Sequence, residues 1–248
     1  MELSEFFRGI PEAALGFSGG VDSSYLLYAA GQAGARVRAY YVNSVFQPAF
    51  ELADAKRLAA QLGAELTVLP VDVLADDAVA ANPENRCYFC KKRIFGAIAA
   101  RALEDGYTVL LDGTNASDDA DDRPGMRALR ELSVRSPLRE CGLTKPEIRR
   151  LSREAGLFTW DKPAYACLAT RIPAGERLTR EKLAATERAE DLLFSLGFSD
   201  FRVRLFGGAA RIQAPAGQLA GILAQRAALL AALGGDYTAV LLDLEARE

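Results

Sequence analysis

Histidine is absent from the sequence, and this absence limits the chemistry that the chain can perform. None of the 248 residues is histidine, so the commonest general base and the commonest metal ligand of proteins are both missing. A metal ion must therefore be held by Cys, Asp, Glu, backbone oxygen or ligand oxygen. Proton transfer must use a carboxylate, Lys, Tyr, Cys, water or the substrate itself.

The sequence also has few cysteines, no long apolar run and no basic excess. No stretch approaches the roughly 20 unbroken apolar residues that span a membrane, and the N-terminus lacks the basic and apolar regions of a signal peptide. We therefore expect a cytosolic protein without a membrane partner, whose four cysteines are reduced, metal-bound or catalytic rather than paired in disulfides. The formal net charge of -3 argues against a nucleic-acid partner.

The first two-thirds of the chain alternates apolar, strand-like runs with segments of helical periodicity. The predicted strands are Ala13–Phe17, Val37–Asn43, Leu66–Val71 and Tyr107–Leu111. The predicted helices between them are Tyr25–Ala30, Phe50–Gly63 and Ile94–Leu103. This alternation predicts an α/β fold with a doubly wound parallel sheet buried on both faces. Ligands of such sheets bind outside the carboxyl ends of the strands.

The C-terminal part of the sequence has a different pattern. A helix is predicted over Thr144–Gly156, with a capping box of Thr144 and Glu147 at its start. The residue pattern then changes near Pro173–Thr179. Beyond it we predict a helix, a hairpin around Gly207-Gly208, a second helix and a last strand, over Thr179–Leu196, Phe201–Leu205, Ala210–Ala214, Gln218–Leu233 and Tyr237–Leu244. We therefore predict a large domain of residues 1–172 and a small α+β domain of residues 173–248, which serves substrate binding or oligomerisation.

The segment Ser18-Gly19-Gly20-Val21-Asp22-Ser23-Ser24 follows the first strand and opens a helix. Its glycines permit a tight turn and a close approach to a ligand, and a helix N-terminus suits pyrophosphate. The Gly-Lys-Ser/Thr of a Walker loop is absent. Asp22 is placed to hold Mg²⁺ or to order the loop, and the alternative is a plain glycine-rich turn. We predict nucleotide contacts from Ser18, Gly19, Gly20, Asp22, Ser23, Ser24, Asn43, Ser44, Gly113, Thr114 and Asn115.

The loop resembles the PP-loop of ATP pyrophosphatases, which cleave ATP between the α- and β-phosphates. Further blocks narrow the resemblance: Asn82–Lys91, Asp112–Asn115, Arg123–Gly125, Ser136–Leu138, Gly142–Lys145 and Lys162–Arg171. Together they resemble the LarE family, the ATP-dependent sulfur transferases of nickel-pincer nucleotide synthesis. The resemblance extends from about Gly16 to about Arg204, and the remaining residues carry less signal.

The resemblance implies a reaction of two steps. MgATP adenylylates a carboxylate of pyridinium-3,5-biscarboxylic acid mononucleotide and releases pyrophosphate, and a sulfur nucleophile then displaces AMP to leave a thiocarboxylate. The product is a precursor of the nickel cofactor of lactate racemase-type enzymes. A source of sulfide and a homo-oligomeric assembly are also implied. The chemistry is reasonable, because adenylylation gives a carboxylate a good leaving group.

Three cysteines are candidates for the sulfur chemistry. Cys167 matches the cysteine that the best-known family members consume as sulfur donor, which leaves dehydroalanine. Cys87 and Cys90 form a Cys-x-x-Cys pair, and with Cys167 they resemble the variant whose three thiolates hold a 4Fe-4S cluster. Zinc completed by Cys141 or a carboxylate, unrelated buried thiols and a single sacrificial Cys167 are the alternatives. Cys141 itself is predicted to be a small buried hydrophobe.

Several charged residues are candidates for binding an anionic substrate. Arg202 and Arg204 share one face of a predicted strand, which suits a phosphate, and the family uses such a pair for the substrate phosphate. Lys91 and Arg171 adjoin the cysteines and are predicted to take part in catalysis by steering the anion. Glu190 matches a family carboxylate near the substrate or a metal, and a solvated helical Glu is its alternative. The acidic run of residues 118–122 is predicted to be an exposed loop.

Other functions are compatible with parts of this pattern. Some tRNA thiolases share a PP-loop and cluster cysteines, and other PP-loop enzymes form a nitrile on a deazaguanine with help from zinc. A nucleotide-binding regulatory module without chemistry is a third possibility. The net charge argues against the first, the low cysteine count against the second, and the complete loop together with Cys167 against the third.

Overall fold

A computed structural model describes residues 1–118 and 124–247 and divides into two compact units. The first unit consists of Met1–Val79 and Asn85–Ala164, and the second consists of Ala80–Glu84 and Tyr165–Glu248. The predicted first domain included Ala80–Glu84, which belongs to the second unit, and the units also differ from the predicted domains for residues 165–172, which belong to the second unit as well. The reason is local, because Arg171 is paired with Glu190 inside that unit.

The first unit is built on a four-stranded parallel sheet. Its strands are β1 (Glu12–Gly16), β2 (Arg36–Asn43), β3 (Leu66–Pro70) and β4 (Leu110–Leu111), in the order β3-β2-β1-β4. The predicted parallel α/β fold is thus confirmed. Strand β4 is shorter than the prediction of Tyr107–Leu111, because the amide of Tyr107 is bonded to Ala102 of the preceding helix and pairing with β1 begins only at Leu110.

Helices cover both faces of this sheet. The helices of residues 1–154 are α1 (Leu3–Gly9), α2 (Val21–Gln32), α3 (Ala49–Leu62), α4 (Asp77–Ala80), α5 (Arg86–Glu104), α6 (Pro124–Glu131), α7 (Pro137–Glu140) and α8 (Lys145–Glu154). Neighbouring residues of β1 enter separate cores, as strand alternation requires. Leu15 packs among residues of α2, α3 and α8, whereas Ala14 packs against α5 and α6. The sheet is therefore doubly wound, as predicted.

Helix α5 begins well before its predicted start. It starts at Arg86 rather than at Ile94, so it includes both residues of the Cys87/Cys90 pair. The apolar periodicity that predicted the helix begins only at Ile94, because the preceding residues are mostly polar or charged. The prediction of α8 was closer, and its predicted capping box between Thr144 and Glu147 is present.

The second unit is a small α+β structure. Its elements are α9 (Arg180–Ser195), β5 (Arg202–Phe206), β6 (Ala209–Gln213), α10 (Ala216–Ala224), α11 (Arg226–Leu233) and β7 (Val240–Leu242). Strands β5 and β6 form the predicted antiparallel hairpin, and β7 joins β6 in parallel. The side chain of Thr179 caps α9, accepting from the amide of Lys182.

The segment predicted as one helix over Gln218–Leu233 is two helices. Helices α10 and α11 meet at Gln225 with a bend of 73°, because Gln225 leaves the helical conformation (φ -86°, ψ 11°). Neither proline nor glycine marks this break, so residue pattern alone did not predict it. Within the described ranges no single helix is long and apolar enough to cross a membrane, and only this bent pair has the required length and composition.

Candidate functional site

A cleft opens at the carboxyl ends of the strands of the first unit. The chain runs from β1 outward through β2 to β3 and then returns to place β4 on the other side of β1. Ligands of parallel α/β sheets bind at such a reversal of strand order. The cleft has a volume of about 310 Å³. Its lining includes Ser18, Asp22, Ser23, Lys91, Asp112, Gly113 and Thr114.

The loop after β1 is held in a conformation that presents the start of α2 to the cleft. Gly19 has a positive φ of 71°, and a Cβ there would lie 3.3 Å from Ala55 of α3. The amide of Ser18 donates to Oγ of Ser23 at 3.3 Å, and the amide of Gly20 donates to Oγ of Ser18 at 3.3 Å. Since the first amides of a helix have no acceptor within it, this end of α2 is suited to bind phosphate.

The segment after β4 approaches the same helix end. A Cβ at Gly113 would lie 3.0 Å from the amide nitrogen of Ser23, so a side chain at this position would block the approach. Asp112 is buried, accepts from Oγ of Ser136 at 2.6 Å and accepts from the Thr114 hydroxyl. The loops after the neighbouring strands β1 and β4 therefore form the floor of the cleft together.

Asp22 is the best-defined carboxylate of the cleft. Its Oδ2 accepts from Nζ of Lys145 at 2.5 Å, and its Oδ1 accepts from Nδ2 of Asn115 at 3.3 Å. Burial raises the pKa of Asp22 above its ordinary value, and the contact with Lys145 offsets only part of that effect. Lys145 is the last residue of the block Gly142–Lys145, but it was not predicted as a site residue. The reason is that it lies 123 positions from Asp22 in the sequence.

Only five of the eleven predicted nucleotide contacts line the cleft. The other six are Gly19, Gly20, Ser24, Asn43, Ser44 and Asn115. Ser24 is fully buried, and its Oγ has no hydrogen-bond partner among the described residues. Asn43 is exposed at the end of β2. Ser44 donates its hydroxyl to Oε1 of Gln47 at 2.6 Å, and it is Gln47 that lines the cleft. Gln47 was not predicted, because no motif surrounds it.

The first turns of α5 carry Lys91 and the Cys-x-x-Cys pair. Lys91 lines the cleft, and its Cδ would lie 3.1 Å from a Cβ at Gly125, so Gly125 leaves room for the lysine stem. Cys87 is exposed and Cys90 is half-buried. Their spacing places both thiols on one side of the helix. Of the predicted acidic loop, only Asp118, which lines the cleft, is described. Residues 119–122 lie outside the described ranges.

Cys167 lies in the second unit, at the start of a short 3-10 helix of Leu168–Arg171. Its carbonyl accepts from the amide of Thr170 at 2.9 Å and from the Thr170 hydroxyl at 2.8 Å, which fixes the backbone at the cysteine. Across residues 1–118 and 124–247, no group of three or more Cys, Asp or Glu side chains is arranged to hold a metal ion.

Arg171 and Glu190 form a buried ion pair in the second unit. Nε and Nη2 of Arg171 donate to the two carboxylate oxygens of Glu190 at 2.7 and 3.2 Å, and both side chains are at most 2% exposed. Glu190 also accepts from the amide of Val203 at 2.9 Å and from the hydroxyl of Tyr165. Four donors thus converge on the Glu190 carboxylate and occupy its acceptor sites.

The other predicted substrate residues lie beside this pair. The Arg202 guanidinium lies 5.4 Å from the centre of the Tyr165 ring and 3.8 Å from Asp200. Arg204 donates to Gln213 at 2.8 Å and to the carbonyl of Thr170 at 2.7 Å. Burial lowers the pKa of both guanidiniums, and the neighbouring charges of Arg171 and Arg247 lower it further.

We call Tyr165, Arg171, Glu190, Arg202 and Arg204 the arginine cluster. It brings together three predicted cations and the predicted carboxylate, and it holds more positive than negative charge. An anion with two negative charges, such as a phosphate monoester, is the ligand that such a cluster would bind. Arg247, which was not predicted, adds charge nearby and pairs with Asp200 at 3.3 Å.

Comparison with known proteins places the chain in a family. Residues 11–119 match the family model described as asparagine synthase. An uncharacterized protein of Synechocystis sp. is 40% identical over 221 residues, which cover 88% of this chain and 81% of that protein. The pyridinium-3,5-bisthiocarboxylic acid mononucleotide synthase of Lactiplantibacillus plantarum is 34% identical over 218 residues, covering 87% of this chain and 79% of the relative.

The chain belongs to the LarE family. The resemblance inferred from the PP-loop and the later blocks is thereby confirmed, and the chain is an ATP-dependent sulfurtransferase. An uncharacterized protein of Methanocaldococcus jannaschii is also similar, at 31% identity over 58% of this chain and 57% of its own length. The PP-loop domain of this LarE-type chain supports its use of ATP.

Proposed function

We propose that the chain adenylylates a carboxylate of pyridinium-3,5-biscarboxylic acid mononucleotide and converts it to a thiocarboxylate. The observation that carries this proposal is the arginine cluster, a cationic site in addition to the PP-loop cleft. ATP accounts for the cleft, and a second phosphate-bearing substrate accounts for the cluster. The name of the Lactiplantibacillus plantarum relative, a synthase of the bisthiocarboxylic acid mononucleotide, supports this identity of the substrate.

In the first step, a substrate carboxylate oxygen attacks the α-phosphorus of ATP. A bond forms between these atoms, the bond from the α-phosphorus to the bridging oxygen breaks, and pyrophosphate leaves. The amides at the start of α2 and the hydroxyls of Ser18 and Ser23 would bind the phosphates. Lys91, which lines the cleft, would offset the charge that develops on them.

Magnesium fits the donor set of the cleft. A carboxylate and phosphate oxygens are the hard ligands that Mg²⁺ prefers, and the carboxylate of Asp22 stands at the start of the phosphate-binding helix. When bound, the ion would neutralise phosphate charge. Lys145, whose Nζ donates a hydrogen bond to Asp22, would also stabilise phosphate charge at this end of the helix.

In the second step, sulfur attacks the carbonyl carbon of the acyl-adenylate, the bond from that carbon to the phosphate oxygen breaks, and AMP leaves. If Cys167 is the nucleophile, its Sγ forms a thioester. Loss of the Cα proton with cleavage of the Cβ–Sγ bond then gives the thiocarboxylate and dehydroalanine. These two steps consume one Cys167 for each sulfur atom transferred.

A 4Fe-4S cluster on Cys87, Cys90 and Cys167 remains a proposal that rests on the sequence. The spacing of Cys87 and Cys90 suits two thiolate ligands on one helix face. A complete set of three ligands does not occur as a group in the described part of the chain, so we derive no step through a cluster. The iron and sulfide content of anaerobically purified protein tests it directly.

Arg202 and Arg204 are proposed to bind the phosphate of the mononucleotide. The lowered pKa of both groups reflects burial and crowding of positive charge, which an anion would relieve. Arg171 and Glu190 are proposed to support this site rather than to react, because each is occupied by the other. This differs from the catalytic role predicted for Arg171 and from the direct substrate contact predicted for Glu190.

The remaining expectations concern assembly and context. We propose a homo-oligomer, supported by large apolar side chains that the second unit leaves exposed. Leu223 on α10 is 59% exposed and Leu230 on α11 is 55% exposed. A sulfide source and a role in maturation of a nickel-pincer cofactor are proposed from the family alone.

The test is pyrophosphate release with alternative acceptors. Anaerobically purified protein is incubated with MgATP and either the pyridinium mononucleotide, bulk tRNA or no acceptor. We expect release that depends on the mononucleotide, with intact-protein mass spectrometry reporting dehydroalanine if Cys167 is consumed. Release that tRNA stimulates and the mononucleotide does not would contradict the proposal.

A further inference from the structure

Tyr165 is the aromatic centre of the arginine cluster. The guanidinium carbon of Arg171 lies 4.8 Å from the centre of its ring, and that of Arg202 lies 5.4 Å from it. The Tyr165 hydroxyl donates to Oε2 of Glu190, the carboxylate that also holds Arg171. Tyr165 therefore contacts two guanidinium groups, those of Arg171 and Arg202, and also the carboxylate of Glu190.

This arrangement has an electrostatic consequence. Arg171 and Arg202 carry like charges and are both almost fully buried, so they repel each other with little screening by solvent. Glu190 accepts two hydrogen bonds from Arg171, and Arg202 lies 3.8 Å from the carboxylate of Asp200. The negative face of an aromatic ring attracts a guanidinium within about 6 Å of its centre.

We propose that Tyr165 is a positioning residue of the substrate site, which holds the Arg202 guanidinium against the Arg171–Glu190 pair in the orientation that binds the substrate phosphate. The inference rests on the proposed function, in which the arginine cluster binds the phosphate of the mononucleotide. Tyr165 does not react in this account. It acts through Arg202, and its removal weakens the recognition of the phosphate rather than of the whole substrate.

The ring contributes more to this role than the hydroxyl. Without the hydroxyl, Glu190 still accepts from Arg171 and from the amide of Val203, so its own position is kept. Loss of the ring removes the aromatic face that lies 5.4 Å from the Arg202 guanidinium. Tyr165→Phe should therefore be mild, and Tyr165→Leu should be the more damaging substitution. Tyr165→Met offers a variant of similar length without a π-face if the leucine variant is unstable.

A binding experiment on the full chain separates phosphate recognition from general damage. The probes are a pyridinium-3-carboxylate ribonucleoside monophosphate and the same riboside without its phosphate, each titrated by NMR. We expect Tyr165→Leu to weaken binding of the monophosphate about tenfold and Tyr165→Phe about threefold or less. Binding of the riboside should stay unchanged in both variants, and thermal unfolding verifies that each variant is folded.

Phe206→Leu is the matched control. Arg211 lies 5.7 Å from the centre of the Phe206 ring, so this substitution removes a similar contact in the same unit but outside the arginine cluster. It should leave binding of the monophosphate at the wild-type level.

Three outcomes would contradict the account, and they have different consequences. If wild-type protein binds the monophosphate more tightly than the riboside but Tyr165→Leu and Tyr165→Met do so equally well, the role of Tyr165 is wrong and the phosphate site stands. Equal losses for both probes would likewise reject a role in phosphate recognition. If wild-type protein does not distinguish the two probes, the assignment of the arginine cluster to the substrate phosphate fails, and the role of Tyr165 fails with it.

Discussion

The cleft of the first unit and the arginine cluster of the second unit are both suited to anions, but they are built differently. The cleft presents helix amides, hydroxyls and one partly exposed pair, Asp22 with Lys145, whose side chains are 22% and 31% exposed. The arginine cluster instead buries its charges, and its central pair of Arg171 and Glu190 is almost completely removed from solvent.

Because the two sites are built differently, we expect substitutions in them to have different effects on function and folding. Backbone amides at a helix end bind phosphate without any buried charge, so the cleft can lose one side chain and remain folded. A buried ion pair has a large desolvation cost, and removal of one partner leaves an uncompensated charge. Substitutions in the cleft should therefore affect function first, whereas those at the centre of the arginine cluster should affect folding first.

The largest expected effect is on stability. Glu190→Ala should destabilise the protein by about 3–5 kcal/mol, because it leaves Arg171 buried without a counter-charge. Glu154→Ala, which breaks the exposed pair with Arg150 on α8, should cost about 0–1 kcal/mol. Urea unfolding of both variants is the measurement. Similar losses of stability from the two substitutions would show that the buried pair stabilises the protein no more than the exposed pair does.

A large effect on catalysis is expected at Asp22. Asp22→Asn removes the charge that pairs with Lys145 and is proposed to hold magnesium, and it should slow pyrophosphate release about a hundredfold or more. The fold should remain intact, as judged by circular dichroism, and Asp161→Asn on an exposed turn is the control. Unimpaired release by Asp22→Asn would remove this carboxylate from the mechanism.

The arginine pair should affect one ligand and not the other. Arg202→Ala or Arg204→Ala should weaken binding of the pyridinium mononucleotide roughly ten- to hundredfold, as expected for loss of a charge-assisted contact. Binding of ATP should not change. Calorimetric titration with each ligand checks this, and Arg211→Ala, whose partner is Asp243, is the control. Equal losses for both ligands would contradict the assignment.

The two adjacent serines of the PP-loop should differ from each other. Ser23 lines the cleft, and Ser23→Ala should slow pyrophosphate release about three- to tenfold, the effect of one neutral hydrogen bond. Ser24 is fully buried, so Ser24→Ala should stay within about twofold of the wild type. The sequence alone predicted that both contact phosphate. A loss at Ser24 as large as that at Ser23 would favour the sequence-based prediction.

The smallest effect concerns pH and the surface of the first unit. Hydrogen bonds from Tyr88, Arg127 and Lys92 lower the pKa of Glu131 to about 2 from its ordinary value of 4.5. A carboxyl group with a lowered pKa in the folded state stabilises the protein above its unfolded pKa, and that contribution is lost as the pH falls from 4.5 towards 2. Glu131→Gln should slightly reduce the difference in urea midpoint between pH 7 and pH 3. An unchanged difference would contradict this.

Much of the first unit follows from the sequence because its signals are local. The PP-loop is a continuous segment, the strands are apolar runs, and the box of Thr144 with Glu147 marks the start of α8. Lys145 could not be assigned to the site in this way. Its contact with Asp22 joins positions far apart in the chain, and it arises only when α8 packs against α2.

The arginine cluster shows the limit of sequence patterns more clearly. The spacing of Arg202 and Arg204 on a strand predicted a shared face, but nothing local indicated that Glu190 would be occupied by Arg171, Tyr165 and Val203. Tyr165 lies in the block Lys162–Arg171 and had no predicted role. The bend at Gln225 was missed for a related reason, because the residues on both sides are equally good helix formers.

The central claim is that ATP activates a carboxylate of the substrate, and isotope transfer tests it most directly. The pyridinium mononucleotide is prepared with ¹⁸O in its carboxylates and incubated anaerobically with the protein and MgATP, and the AMP released is analysed by mass spectrometry. The account predicts one ¹⁸O atom in AMP for each thiocarboxylate formed, because the attacking oxygen stays on the α-phosphorus. AMP without the label, formed alongside the thiocarboxylate, would contradict adenylylation of the carboxylate.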